Sequence, residues 1–183
     1  MQIQKKSDGF TLIELLVVLA VVAVVTSLAF PTFSQMLRDV RLAVYTNNFL
    51  ADLAVARSES IKRGKRVVLC TSSDGSKCTT TGHWSDGWLI YEDTNNDGVR
   101  DETESLIRYE SKLPANWRLK GNFHVANYIS YHPMGRTHLI SGAFQAGTLT
   151  LCELAEVSVQ GTAIVISNTG RPRSARVNLP GCV

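Results

Sequence analysis

Residues Phe10–Phe30, FTLIELLVVLAVVAVVTSLAF, decide how the rest of the chain is read. Glu14 is the only charge in the run. As a helix, with a rise of about 1.5 Å per residue, it would span roughly 30 Å, the thickness of a bilayer's hydrocarbon core. A helix lying on a water-soluble domain would show a polar stripe at helical spacing, and none is present. The segment therefore enters a membrane or is buried among like helices. A carboxylate in such a place is costly, which makes Glu14 a functional residue by default.

Ahead of the run lies a short polar leader, MQIQKKSDG. A secretory signal would be cut after its apolar stretch, at small residues. The small residue Gly9 instead sits before the run. Lys5 and Lys6 favour a cytoplasmic N-terminus, with Arg38 and Arg41 competing weakly from the far side.

Gly9-Phe10-Thr11-Leu12-Ile13-Glu14 resembles the processing site of type IV prepilins and type II secretion pseudopilins. The resemblance implies that residues 1–9 are a leader, removed after Gly9 by prepilin peptidase, and that Phe10 is N-methylated. It also implies that Glu14 meets the N-terminus of a neighbouring subunit during assembly with other major and minor pilins. The chain would first be a single-pass inner-membrane protein with a periplasmic domain, then part of a pilus at the cell surface.

The 183 residues allow one domain besides the anchor. The formal charge is +3, of which the leader supplies +1, so any nucleic-acid reading must rest on local clustering. Cys70, Cys78, Cys152 and Cys182 all lie beyond the anchor, and an exported domain favours disulfides. Four cysteines permit three pairings. Cys70 with Cys78 would close a short loop, and Cys152 with Cys182 would staple the tail. Zinc is the competing use, although no CxxC spacing occurs.

Pro31 bends a helix, and pilins commonly carry a proline near this place, so a kink is expected rather than a stop. Beyond it Leu37, Val40, Val44, Leu50, Ala51, Ala54 and Ile61 suggest an apolar stripe, with Arg38, Arg41, Asn47, Asn48, Asp52, Arg57 and Lys62 on the other side. Gly64 is a good stop, preceded by Lys62 and Arg63. The expected fold class is α+β. A long N-terminal helix, residues 10–63 with its transmembrane part about 10–30, packs on an antiparallel β-sheet domain, residues 64–183. Expected strands are Arg66–Cys70, Trp88–Glu92, Ser105–Glu110, Trp117–Lys120, Tyr128–His132, Gly147–Leu154 and Gly161–Ser167.

Three features could carry chemistry. Asp93, Asn95, Asp97 and Gly98, with Asp101 and Glu104, fit the calcium-loop spacing D-x-N-x-D-G-x5-E. The alternative is a solvated hairpin turn, because Asn-Asp-Gly is ordinary turn chemistry and both flanks read as strands. His83, His124, His132 and His138 form no HxH or HxxxH pair, and no nucleophile elbow occurs, so an enzyme reading has no support. Finally, Gly170-Arg171-Pro172-Arg173-Ser174-Ala175-Arg176 clusters cations on a stretch whose Gly and Pro make it a loop. Guanidinium forks suit phosphate, so such a loop fits a phosphodiester backbone, and a solvated basic turn is the plainer reading.

Over nearly its whole length the chain resembles the FimT/GspH group of minor pilins and pseudopilins. The residues that carry this are the processing motif, Cys70 to Cys78 ahead of Gly87–Tyr91, and the Asp93–Gly98 turn. Thr148–Cys152 and Ile164–Ser167, leading into Gly170–Arg173, complete them. A terminal G-R-x-R is similar to the element by which FimT-type minor pilins hold double-stranded DNA in natural transformation. The resemblance assigns that role to Arg171 and Arg173, with Gly170 presenting them. Arg176 joins on charge and proximity, and Arg136 as a further basic residue. The alternative is a GspH-like pseudopilin or structural minor pilin that primes filament assembly or type II secretion without binding DNA.

Overall fold

The computed structural model describes residues 9–155 and 157–182, with the side chains of all of them except residues 28–32. The chain divides into two compact units, residues 1–41 and 42–183. Helix α1, Leu12–Arg63, contributes to both.

In the first unit, Thr11 caps the start of α1. The Thr11 amide and hydroxyl both donate to Glu14 Oε2 at 3.2 Å, and the Glu14 amide donates back to Thr11 Oγ1 at 3.3 Å. This is a capping box, and it supplies partners for backbone donors that the first helical turn leaves open. The helix continues through Pro31, so the proline does not end it. The apolar side chains from Leu12 to Val25 are all exposed in the single chain. Among the described residues no helix is long and apolar enough to cross a membrane. The expected span 10–30 runs into residues 28–30, whose side chains lie outside the described residues, as do leader residues 1–8.

The second unit holds the last part of α1 and two four-stranded antiparallel sheets. In chain order the strands are β1 Arg66–Thr71, β2 Gly87–Asp93, β3 Leu106–Ser111, β4 Trp117–Gly121, β5 Tyr128–Tyr131, β6 Gly147–Glu153, β7 Val159–Ile166 and β8 Arg173–Leu179. The first sheet has the order β3-β2-β1-β5 and the second β4-β6-β7-β8. The expected antiparallel β-sheet domain is built as two sheets, and one core joins both to the helix. Phe49, Leu53 and Ala56 of α1 meet Leu69 and Ile90 of the first sheet, and Leu119, Leu149 and Ile164 of the second. β1 is buried on both faces, as its continuous run VVLC requires.

The helix turns a different face inward from the one expected. Leu42, Thr46, Phe49, Leu53, Ala56 and Ser60 are buried, at spacings of three and four. Leu37, Val40, Val44 and Ile61 are 41 %, 51 %, 47 % and 53 % exposed, and Ala51 and Ala54 are exposed as well. Aromatic packing selects the face: Phe49 stands edge-on to both Trp84 and Trp88, with ring centroids 5.4 and 5.1 Å away. Asp52, expected on the polar side, is buried. It accepts from Trp88 Nε1 and from an Arg108 guanidinium nitrogen, each at 2.8 Å, so its charge is paired. At the helix end Gly64 takes φ +64°, and Glu92 pairs with Arg63 at 2.8 Å and Lys65 at 2.9 Å. Lys65 first, then Arg63, hold the Glu92 carboxyl below its ordinary range. Two disulfides, Cys70–Cys78 and Cys152–Cys182, tie the strands, in the pairing suggested by the sequence.

Candidate nucleic-acid interface

The arginine stretch is not simply a loop. Only Ser167–Gly170 is a turn, closed by the Gly170 amide donating to Ser167 O at 2.9 Å, while Arg173 and Arg176 lie on strand β8. The expected basic C-terminal loop is thus corrected to a turn leading into an edge strand. β8 pairs with β7 over its whole length, and charged residues on an edge strand discourage unwanted pairing.

A second glycine turn packs behind the first. His132–Gly135 is closed by the Gly135 amide donating to His132 O at 2.7 Å. Gly135 has φ +70° and Gly170 φ +72°, a region that L side chains rarely adopt. The two turns touch at backbone level. A Cβ on Gly170 would fall 2.1 Å from Gly135 O, so no other residue fits there without moving the turn. That same Gly135 carbonyl accepts from Arg57 Nε of α1 at 2.9 Å. The buried Thr137 hydroxyl, 2.8 Å from Gln145 O and 2.9 Å from Ser167 O, bridges the two segments. Tyr131 lies beneath, fully buried, its hydroxyl without a partner among the described residues and its titration pushed well up by burial.

Each turn therefore delivers an arginine at its exit: Arg136 after Gly135 and Arg171 after Gly170. Both are exposed, as is Arg173 two residues on. None of the three enters an ion pair or donates a side-chain hydrogen bond among the described residues. Arg176 is a different case. Arg173 opposes Val165, which is 42 % exposed on the outer face of the second sheet, whereas Arg176 opposes Thr162, buried on the inner face. An odd spacing along a strand puts the two side chains on opposite faces. Arg176 also has an interaction of its own within the chain.

The acidic loop between β2 and β3 is arranged in the opposite sense. Asp93 is fully buried; its two oxygens accept from the Asp97 and Gly98 amides, each at 3.2 Å, and Arg66 Nε lies 3.9 Å away. Burial raises the Asp93 carboxyl above its usual range, against the Gly98 amide, which lowers it. Asp97 accepts from the Val99 amide at 2.7 Å, and Asn95 donates to Asp97 and Asp101 at 3.0 and 3.1 Å. Glu104, the residue that would grip calcium with both oxygens, gives one to the Thr94 amide at 2.7 Å and the other to the Asp101 amide at 3.1 Å. Asp93, Asn95, Asp97 and Glu104 thus each use at least one side-chain oxygen to close the loop on its own backbone amides. No group of three His, Cys, Asp or Glu among the described residues could hold a metal ion. The loop is a turn closed by its own acceptors.

Sequence spacing did not reveal two further arrangements. His132 and His138 are brought together by the Gly135 turn, their rings 5.5 Å apart, with Phe144 5.7 Å beyond His138. Burial first, then His132, lowers the His138 imidazole's affinity for a proton. The second is the Thr11–Glu14 capping box, which follows the T-x-x-E spacing ahead of the apolar run.

An α-helix capped at Thr11, a disulfide-tied domain of two antiparallel sheets and a shared core define a pilin-like class of protein. The family model "Type II transport protein GspH" matches residues 45–177, and "Prokaryotic N-terminal methylation motif" matches residues 4–30. The chain belongs to the GspH family and is a type IV minor pilin or pseudopilin of the GspH/FimT group. Its fold is similar to that of the type IV minor pilin FimU of Pseudomonas aeruginosa PAO1. In one crystal form the TM-score is 0.56 at 17 % identity, covering 78 % of this chain and 96 % of FimU. In a second form the values are 0.54 and 16 %, covering 78 % and 100 %. No curated protein matches the chain.

Proposed function

We propose that this chain is a membrane-anchored minor pilin that binds extracellular double-stranded DNA, without sequence preference, for uptake in natural transformation. The observation that carries the reading is the pair of interlocked glycine turns, which offers Arg136, Arg171 and Arg173 exposed and unpaired. Exposed guanidinium groups on a rigid support suit phosphate contacts, which give affinity without reading bases. The N-terminal end supports the assembly half. An apolar helix start with exposed side chains needs either lipid or neighbouring helices to cover it. Cleavage by prepilin peptidase after Gly9 and methylation of Phe10 would precede incorporation, with Glu14 guiding the subunit into the fibre. Intact mass analysis of the mature protein should find a methylated Phe10 at its N-terminus.

The test of the DNA half is gel retardation of a labelled duplex by the full-length protein in detergent. Reversing charge with Arg171→Glu and Arg173→Glu should abolish retardation while leaving the melting temperature within about 2 °C of the parent, since surface substitutions rarely cost more than about 0.5 kcal/mol. Undiminished retardation by the double variant contradicts the proposal. A second reading, a structural pseudopilin that only primes assembly, draws on the family description as a type II transport protein and on the exposed apolar stripe of α1. It expects no retardation even from the unmodified protein.

A further inference from the structure

The strand register of the second sheet gathers further cations on the face that carries Arg173. Lys120 of β4 opposes Thr150, which opposes Ala163, which opposes Ala175 of β8. Arg118, two residues back on β4, points to the same side. The opposite side of the sheet carries Leu119, Leu149, Leu151 and Ile164, all buried in the core, so the face with Lys120 and Arg173 is the outer one. Arg118, Lys120 and Arg173 are the charged residues on this face, and no acid stands on it among the described residues. Neither Arg118 nor Lys120 is engaged in an ion pair or a side-chain hydrogen bond among the described residues. Along the Lys120 row the floor between the two edges consists of the short side chains of Thr150, Ala163 and Ala175, while the Arg118 row runs through Cys152, whose disulfide to Cys182 lies on the same face.

We propose that duplex DNA lies across this outer face, with Arg118 and Lys120 holding phosphates on one side of a groove while Arg171 and Arg173 hold those on the other. The inference rests on the DNA-binding reading above and extends it to the far edge of the sheet. Strands lie about 4.8 Å apart and residues rise about 3.4 Å, so Lys120 and Arg173, three strands and two residues apart, are separated by roughly 16 Å at the backbone. The major groove of B-DNA is about 12 Å wide, within reach of long side chains leaning inward from both edges. Thr150, Ala163 and Ala175 matter for what they lack: bulk or negative charge there would hold a phosphodiester backbone away. Charge complementarity and a low, acid-free floor together favour a rigid polyanion as occupant.

The experiment is anisotropy titration of a labelled duplex with the full-length protein in detergent across a salt series. Each neutralised phosphate contributes roughly 0.9 to the slope of log affinity against log salt. The pair Arg118→Gln and Lys120→Gln should weaken binding about tenfold or more at low salt and flatten the slope by roughly 1.8. Ala175→Glu, which removes no cation, should weaken binding several-fold more than Lys62→Glu, a larger change of net charge at an exposed helix position. Wild-type affinity and slope in the Arg118/Lys120 variant, with binding still lost on substituting Arg171 and Arg173, overturn this surface and leave the turn arginines standing. Failure of the unmodified protein to bind the duplex, or indifference to both pairs, overturns the DNA-binding reading and this surface with it.

Discussion

The acidic loop from Asp93 to Glu104 and the basic turn from Ser167 to Arg173 read alike in the sequence, as charged runs punctuated by glycine, yet their side chains point in opposite senses. In the acidic loop the charges hold the backbone: Asp93, Asp97 and Glu104 accept from amides within the loop itself. In the basic turn glycine and backbone contacts hold the shape, and the guanidinium groups are left to solvent. In one region the charges set the shape of the backbone, and in the other they stand on a turn that other atoms secure and face solvent. Orientation, rather than the density of charge, separates the two.

Four substitutions or additions would break or sharpen that contrast. Asp93→Ala should have the largest effect, a loss of about 3 kcal/mol in stability, because two amides and Arg66 lose a buried acceptor. DNA affinity should be unchanged once the protein is folded, and denaturant titration beside duplex binding checks both. Gly170→Ala should cost about 2 kcal/mol through its positive φ and the clash with Gly135 O, and unlike the first it should also weaken DNA binding. Asp93→Asn should cost only about 1 kcal/mol, since the amide keeps one oxygen to accept from the loop and only the second acceptor is lost. The sign follows from linkage. The folded Asp93 carboxyl binds its proton above the unfolded value of 3.8, so its contribution to stability grows as pH falls from the raised folded value through 3.8. Asp93→Asn should remove that component from a series of melts. Smallest of all, millimolar calcium against chelator should move the melting temperature by less than about 1 °C, because binding to the native state alone would raise it; a clear rise would restore the calcium reading.

The sequence showed the helix, the switch to strands and seven of the eight strands, because β-branched and aromatic runs bounded by glycine and asparagine are local signals. It hid β8, whose residues Arg173–Leu179 alternate with polar groups and which forms an edge strand by pairing with β7 rather than by its own propensity. It also misled on the helix face. Val44, Ala51 and Ile61 recur at helical spacing as well as Leu42, Phe49 and Leu53 do, and only the positions of Trp84 and Trp88, far along the chain, decide between them. Arg171 and Arg173 were legible as a motif. Their neighbour Arg136 became part of one constellation only when Gly135 met Gly170, a contact between turns that no local spacing encodes.

The most direct test of phosphate-based DNA capture is the affinity of the unmodified full-length protein in detergent for two duplexes of unrelated sequence, measured between 50 and 200 mM salt. The account predicts near-equal affinities that fall together and steeply, linearly in log salt, with a slope corresponding to several phosphate contacts. Affinity that ignores salt, or that belongs to one sequence alone, would contradict it.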